Sequence, residues 1–294
     1  MSAGVETVRP PRAGRRWRFN AQNVYWLLIL PAVALLLVFY IFPLFQVLWL
    51  SVTEPEPGLG NYADLATSST IHNILWTTFR VCVVTTAITV TLGYLVAYAM
   101  VHVGRRQLTW MMFGVLLTFW LSVLIRAFAW VMLLLPNGAI NGTLQFLGLI
   151  DQPLSLSRNE VGVVIGMVHF MLPLAILPLY TNMIGINRAF VAAARGLGAS
   201  AFEAFYMVFL PLSLPGIVGA TVLVFIFSLG FYITPAILGG GKVVMVAEFI
   251  AVHFEETLQW GTATMMASTL LIAVFALLFG MSRFVDLKKL FAAR

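Results

Sequence analysis

Six runs of apolar residues, each long enough to cross a bilayer, recur along this 294-residue chain. A hydrocarbon core about 30 Å thick takes roughly 20 apolar residues of helix. The runs cover Tyr25 to Val52, Ile74 to Val101, Leu108 to Leu135, Glu160 to Gly185, Gly216 to Leu238 and Gly261 to Met281. In lipid the backbone must satisfy its own hydrogen bonds, which leaves helices or closed barrels. Runs of this length select helices. The expected fold is therefore all-α: a polytopic membrane protein with six transmembrane helices. Composition agrees, with 61% hydrophobic and 10% charged residues against about 25% charged in soluble domains.

Charge placement gives the orientation. Six spans put both termini on one side. The segments on that side hold five, two, two and four Lys/Arg in chain order, and those on the other side hold only Arg158 and Lys242. The positive-inside rule then makes both termini cytoplasmic. The first basic group (Arg9, Arg12, Arg15, Arg16, Arg18) forms a tail over residues 1–24. The six-span domain covers 25–283, and a second tail with Lys288, Lys289 and Arg294 covers 284–294. The net charge of +6 is explained by these span ends, so nucleic acid is not an expected partner; the lipid bilayer is. The first run follows a basic tail and no small-residue cleavage site closes it, so it is expected to stay as an anchor. The single Cys82 forbids an internal disulfide and fits no metal motif.

Prolines and polar residues inside the runs predict local features. Pro31 and Pro43 predict kinks rather than helix ends. Thr85, Thr86, Thr89 and Thr91 with Gly93 predict close helix packing. Arg126 lies deep in the third run, where a charge costs from about 2.5 to over 10 kcal/mol, so it must face protein, water or the far interface.

The longest segment too polar for lipid lies between the fourth and fifth runs, over residues 186–215. From Arg188 to Gly196 it is a good helix former. Gly198 suits the position just past a helix end, where positive φ is free for glycine. Ser200 precedes Glu203 by three residues, the capping-box spacing. Phe202, Phe205, Tyr206 and Phe209 are expected on one side of the second helix, and Pro211 and Pro215 are expected to keep it from running into the fifth span. The expected result is a helical bracket at the cytoplasmic surface, either resting on lipid or docking a soluble partner. The chain has no G-x4-G-K-[ST], and Gly239-Gly240-Gly241-Lys242 has the wrong spacing for one, so it supplies no nucleotide energy itself.

Ala193-Ala194, Gly198-Ala199-Ser200, Phe205, Val208 and Leu210-Pro211 resemble the EAA loop of permease subunits of binding-protein-dependent ABC importers. The resemblance implies a type I, MetI-like permease fold in a bacterial inner membrane. It implies two cytoplasmic ATPase subunits that bind ATP–Mg, a second and paralogous permease, and a periplasmic substrate-binding protein. The coupling residues it implies are Arg188, Ala192, Ala193, Ala194, Arg195, Gly198, Ala199, Ser200, Glu203, Phe205 and Pro211. The family's glutamate falls at Ala192 and a second acid at Gly196, so polar coupling contacts are left to Arg188, Arg195 or Glu203. Arg126-Ala127-Phe128-Ala129-Trp130, Asn137-Gly138-Ala139-Ile140-Asn141, Thr234-Pro235-Ala236-Ile237-Leu238-Gly239-Gly240 and Trp260-Gly261-Thr262-Ala263 are similar to spermidine/putrescine-type permeases. That similarity implies polyamine import, with opines and other small solutes as the alternative.

The substrate path is read from aromatics, because the spans hold almost no acid and a dication needs carboxylates or π faces. Phe231, Tyr232, Thr234 and Pro235 are the path candidates, with Trp120 and Trp130 as further aromatics. Arg126 is a structural or gate candidate, and His169 a helix–helix hydrogen bonder. A secondary transporter would need more ionisable residues deep in the spans or an inverted repeat. An intramembrane enzyme would need a catalytic motif that the sequence lacks. The chain is read as a transport subunit, not an enzyme, with no cofactor or metal of its own.

Overall fold

A computed structural model describes residues 21–284, and the basic residues of both predicted tails (Arg9 to Arg18; Lys288, Lys289, Arg294) lie outside them. All regular structure among the described residues is helical. Six segments are long and apolar enough to cross a membrane. The chain divides into two compact units, the first ending at Val47 and the second beginning at Leu48.

The first unit holds helix α1 (Ala21–Leu36), a π-helical turn (Leu37–Ile41) and the start of α2 (Phe42–Thr53). Phe42 N–H reaches back five residues to Leu37 O, and Pro43 follows at once. A proline ring clashes with the preceding turn of an ordinary α-helix. The widened turn lets the helix continue past it.

In the second unit, α3 (Gly60–Thr67), α4 (Ser69–His102), α5 (Arg105–Trp120), α6 (Val123–Leu134) and α7 (Ala139–Phe146) precede α8 (Glu160–Ile184). Then come α9 (Arg188–Gly196), α10 (Ala201–Ala204), a π turn (Phe205–Phe209), α11 (Leu210–Leu229), α12 (Ile233–Gly239), α13 (Val246–Glu255) and α14 (Trp260–Phe284). The core is the trio α4, α8 and α11. Small residues let these helices approach. A Cβ on Gly93 would stand 2.9 Å from Ala175 Cβ, and one on Gly216 would stand 2.7 Å from Asn182 Cβ. Thr85, Thr86 and Thr89 are buried as their spacing predicts. Thr91 is exposed, its hydroxyl bonded to Ala87 O at 2.7 Å, because it falls on the opposite face of α4.

Two expectations are corrected. The third run, expected as one helix from Leu108 to Leu135, breaks at Leu121–Ser122 into α5 and α6; both residues take extended ψ angles near 135°. The fifth span does not start at Gly216. It is continuous with α10 from Ala201 and ends at Leu229, with α12 a separate helix. Pro211 fails to stop it because a π turn precedes the proline here too, Leu210 N–H bonding to Phe205 O. The segments after the first and fifth runs contain α3 and α13. Asn61 holds α3 in place by donating to Ser51 O (3.1 Å) and Glu54 O (2.7 Å).

The Asn137–Asn141 motif has a structural role. Asn141 is fully buried and bonds Leu135 O, Leu154 O and Leu154 N–H, at 3.1, 3.0 and 2.8 Å. A Cβ on Gly138 would lie 2.5 Å from Leu133 O, so the chain can turn there only with glycine.

Candidate functional site

The bracket between α8 and α11 is built from local caps. Asn187 Oδ1 accepts Ala189 N–H at 2.9 Å and starts α9. At the other end Gly198 N–H bonds Arg195 O and Ala199 N–H bonds Ala194 O, both at 3.1 Å. This pair of bonds is a Schellman motif, with Gly198 at its left-handed position, φ 98°. Ser200 Oγ accepts Glu203 N–H (3.2 Å), and the Glu203 carboxylate accepts Ser200 N–H (2.7 Å), so the capping box forms as its spacing predicts.

Long-range contacts then fix the bracket to the bundle. Arg188 donates to Val101 O near the end of α4 at 2.6 Å. Val191 and Phe205 pack against the core cluster that contains Met183 and Phe209. The four aromatics do not share one side. Phe205 and Phe209 turn inward and meet the Tyr98 ring edge-on at 5.3 and 5.2 Å. Phe202 and Tyr206 turn outward and stack on each other at 6.3 Å. Residues four apart share a helix stripe, and these two pairs lie on different stripes.

The outward surface of the bracket is apolar at its centre. Phe190, Leu197, Phe202 and Tyr206 are exposed there, Leu197 by 90%. Ala192, Ala193 and Arg195 are exposed beside them, and Ala194 and Ala199 are half-buried. Of the three polar residues expected to make coupling contacts, two are already engaged within the chain: Arg188 with Val101 and Glu203 with Ser200. Arg195 has no side-chain hydrogen bond or ion pair among the described residues.

A second cluster joins α6, α8 and the start of α12. The Arg126 guanidinium lies over the Phe170 ring at 4.4 Å, and Phe170 meets Phe231 at 4.5 Å. One turn along α6, Trp130 Nε1 donates to His169 Nδ1 at 3.1 Å. Arg126 is buried and its Nε has no hydrogen-bond partner. The aromatic face is thus what compensates the charge. Thr234 and Pro235 are buried beside the cluster's helices, where a Cβ on Gly166 would come within 2.7 Å of Thr234 Cγ2. Tyr232 is 41% exposed, and Trp120, at the end of α5, is 87% exposed. The structure therefore brings Arg126, Trp130 and Phe231 together and leaves Trp120 outside the group. Phe170 was missed by sequence reasoning. Its one signal is its place beside His169 in a span that holds two prolines.

The second and fourth spans are also joined by an ion pair, Arg80 with Glu160. It accounts for the other arginine found within a span.

Residues 90–287 match the family described as binding-protein-dependent transport system inner membrane component. The chain is 31% identical over 218 residues to the spermidine/putrescine transport system permease protein PotB of Haemophilus influenzae, covering 74% of this chain and 76% of that protein. It is 28% identical over 223 residues to PotB of Escherichia coli K12, covering 75% and 81%. Its fold is similar to a chain of a bacterial ABC transporter involved in the import of the acidic polysaccharide alginate, with a TM-score of 0.71 at 16% identity, covering 90% of this chain and 96% of that one. The family match runs from within α4 through α14 and so includes the whole bracket. This chain belongs to the inner membrane components of binding-protein-dependent transport systems, the permease subunits of ABC importers.

Proposed function

We propose that this permease imports a polyamine of the spermidine/putrescine class. It forms half of a path whose other half is a paralogous permease. Two cytoplasmic ATPase subunits bind ATP–Mg, and a periplasmic binding protein delivers the solute. Both termini and the bracket face the cytoplasm, in keeping with the distribution of Lys and Arg. The observation that carries the coupling role is the exposed apolar centre of the bracket, Phe190, Leu197, Phe202 and Tyr206, on a turn held rigid by two caps. A rigid convex element of this kind transmits the closing motion of the ATPases into α8 and α11. The substrate class rests on the similarity to the PotB permeases.

A second reading, import of an opine-like solute carrying a carboxylate, is favoured by one observation: Arg126 is buried with no carboxylate partner. Uptake of labelled putrescine, spermidine and an opine separates the two. The host must lack its own importers and express this chain with a partner permease, an ATPase and a binding protein. Polyamine uptake that requires ATP is the expected result. Uptake of the opine alone, or polyamine uptake that collapses with the proton gradient and not with ATP, rejects the polyamine reading.

A further inference from the structure

The spans are nearly free of carboxylates, so an acid held inside the fold stands out. Glu248 is such an acid, on the first turn of α13 and 9% exposed. Its carboxyl group faces the main-chain N–H of Met245, at the start of that helix. Oε2 is buried with no hydrogen-bond partner. The Met245 N–H can engage at most one carboxylate oxygen, so Oε2 is left unexplained.

Glu248 is the buried charged member of the lining of an open cleft of about 450 Å³. The facing wall is α4, where Thr70, Asn73 and Thr77 lie on one helical stripe and bring two hydroxyls and an amide. Phe249 adds an aromatic ring, and Lys242 lines the cleft from the loop after α12. The ion pair among the described residues is Arg80 with Glu160, so Lys242 does not neutralise Glu248. The cleft sits at the N-terminal end of α4. At 1.5 Å per residue it is about 40 Å from the end of α4 that Arg188 holds, and so on the face opposite the bracket.

We propose that this cleft receives an organic ammonium group on its way into the path, with Glu248 as the counter-charge and Thr70, Asn73 and Thr77 as hydrogen-bond acceptors. The proposal rests on the polyamine reading above. A polyamine alternates ammonium groups with methylenes, and the cleft offers both polar atoms and apolar side chains. Lys242 acts against binding, because a like charge in the same cleft raises the cost of bringing in an ammonium.

The test uses the complete transporter in proteoliposomes, with binding protein saturated by putrescine or spermidine, and reads the maximal uptake rate. Glu248→Gln keeps the volume and the carbonyl oxygen facing Met245 but removes the charge. It is expected to lower the rate about tenfold, the worth of one charged hydrogen bond. Lys242→Met is expected to match or exceed wild type. Asn73→Ala, on the opposite wall and away from the α13 cap, is expected to lower the rate severalfold, and it decides the matter if Glu248→Gln does not reach the membrane. Wild-type rates in both Glu248→Gln and Asn73→Ala overturn the proposal. So does a Lys242→Met loss as large as that of Glu248→Gln, which would mark both residues as structural. Wild-type protein that moves no polyamine overturns the polyamine reading and this site with it. Wild-type uptake with an indifferent Glu248→Gln and Asn73→Ala overturns this site alone.

Discussion

Arg188, the first residue of α9, donates a 2.6 Å hydrogen bond to the carbonyl of Val101, one residue before α4 ends. The last carbonyls of a helix have no intrahelical partner and carry the negative end of its dipole. A guanidinium placed there stabilises the helix end and ties the bracket to the longest helix of the core. Arg188→Ala is expected to loosen this tie by about 1 kcal/mol, lowering uptake severalfold while ATP hydrolysis persists. Measuring transport and hydrolysis in the same vesicles checks it; equal loss of both would count against a coupling role.

Gly198 is the second point of rigidity. Its φ of 98° is closed to most side chains, yet no atom lies within 4 Å of a Cβ built on it. The cost of substitution is therefore backbone strain, about 1–3 kcal/mol, without a clash. Gly198→Val should abolish uptake at normal membrane abundance, and Gly198→Ala should do so only in part. Full uptake by Gly198→Val would show that the turn geometry is dispensable.

Arg195 is the bracket's uncommitted charge, one helical turn from Ala192. Arg195→Ala is expected to reduce substrate-stimulated ATP hydrolysis severalfold. Ala192→Glu should be tolerated, because the position is exposed. The stimulated hydrolysis rate of each purified complex tests both statements.

Arg126 and Phe170 make opposite predictions for stability. Phe170→Leu leaves the guanidinium buried without its π face, so a loss of about 1–2 kcal/mol is expected. Arg126→Leu removes that charge together with its cost of burial and should leave thermal stability unchanged or higher. Melting temperatures of the two variants decide; a larger loss for Arg126→Leu would assign the residue a partner beyond Phe170.

Burial pushes the Glu248 carboxyl above the ordinary carboxylate range, and the Met245 N–H only partly opposes this. A raised pKa means that the proton binds at a higher pH as the medium is acidified, and the neutral acid no longer attracts an ammonium. Lys242 faces the same cleft, and α12 and residues 260–280 of α14 bring no charged side chain to α13. On α4, His72 is bonded to Leu65 O and Arg80 to Glu160. His253 on α13 is bonded to Phe249 O. Polyamine uptake should fall on acidification at a pH above that of a solvated carboxylate, and the profile of Glu248→Gln should be flatter there. Identical profiles for the two proteins would disprove the assignment.

What was legible in the residues is what acts over a few positions. The six spans follow from apolar run length, because lipid leaves a helix no other way to satisfy its backbone. The caps of the bracket were readable for the same reason: Gly198, and Ser200 with Glu203, act within five residues of themselves. The tertiary structure alone decided the rest. It carried the fifth span through Pro211 by widening one turn, broke the third at Leu121–Ser122, and split four aromatics between two stripes. It also paired Arg188 with Val101, 87 residues away, stacked Arg126, Phe170 and Phe231, and set Glu248 across a cleft from α4. These contacts depend on how helices pack, and nearly uniform apolar spans carry little local record of which faces will meet.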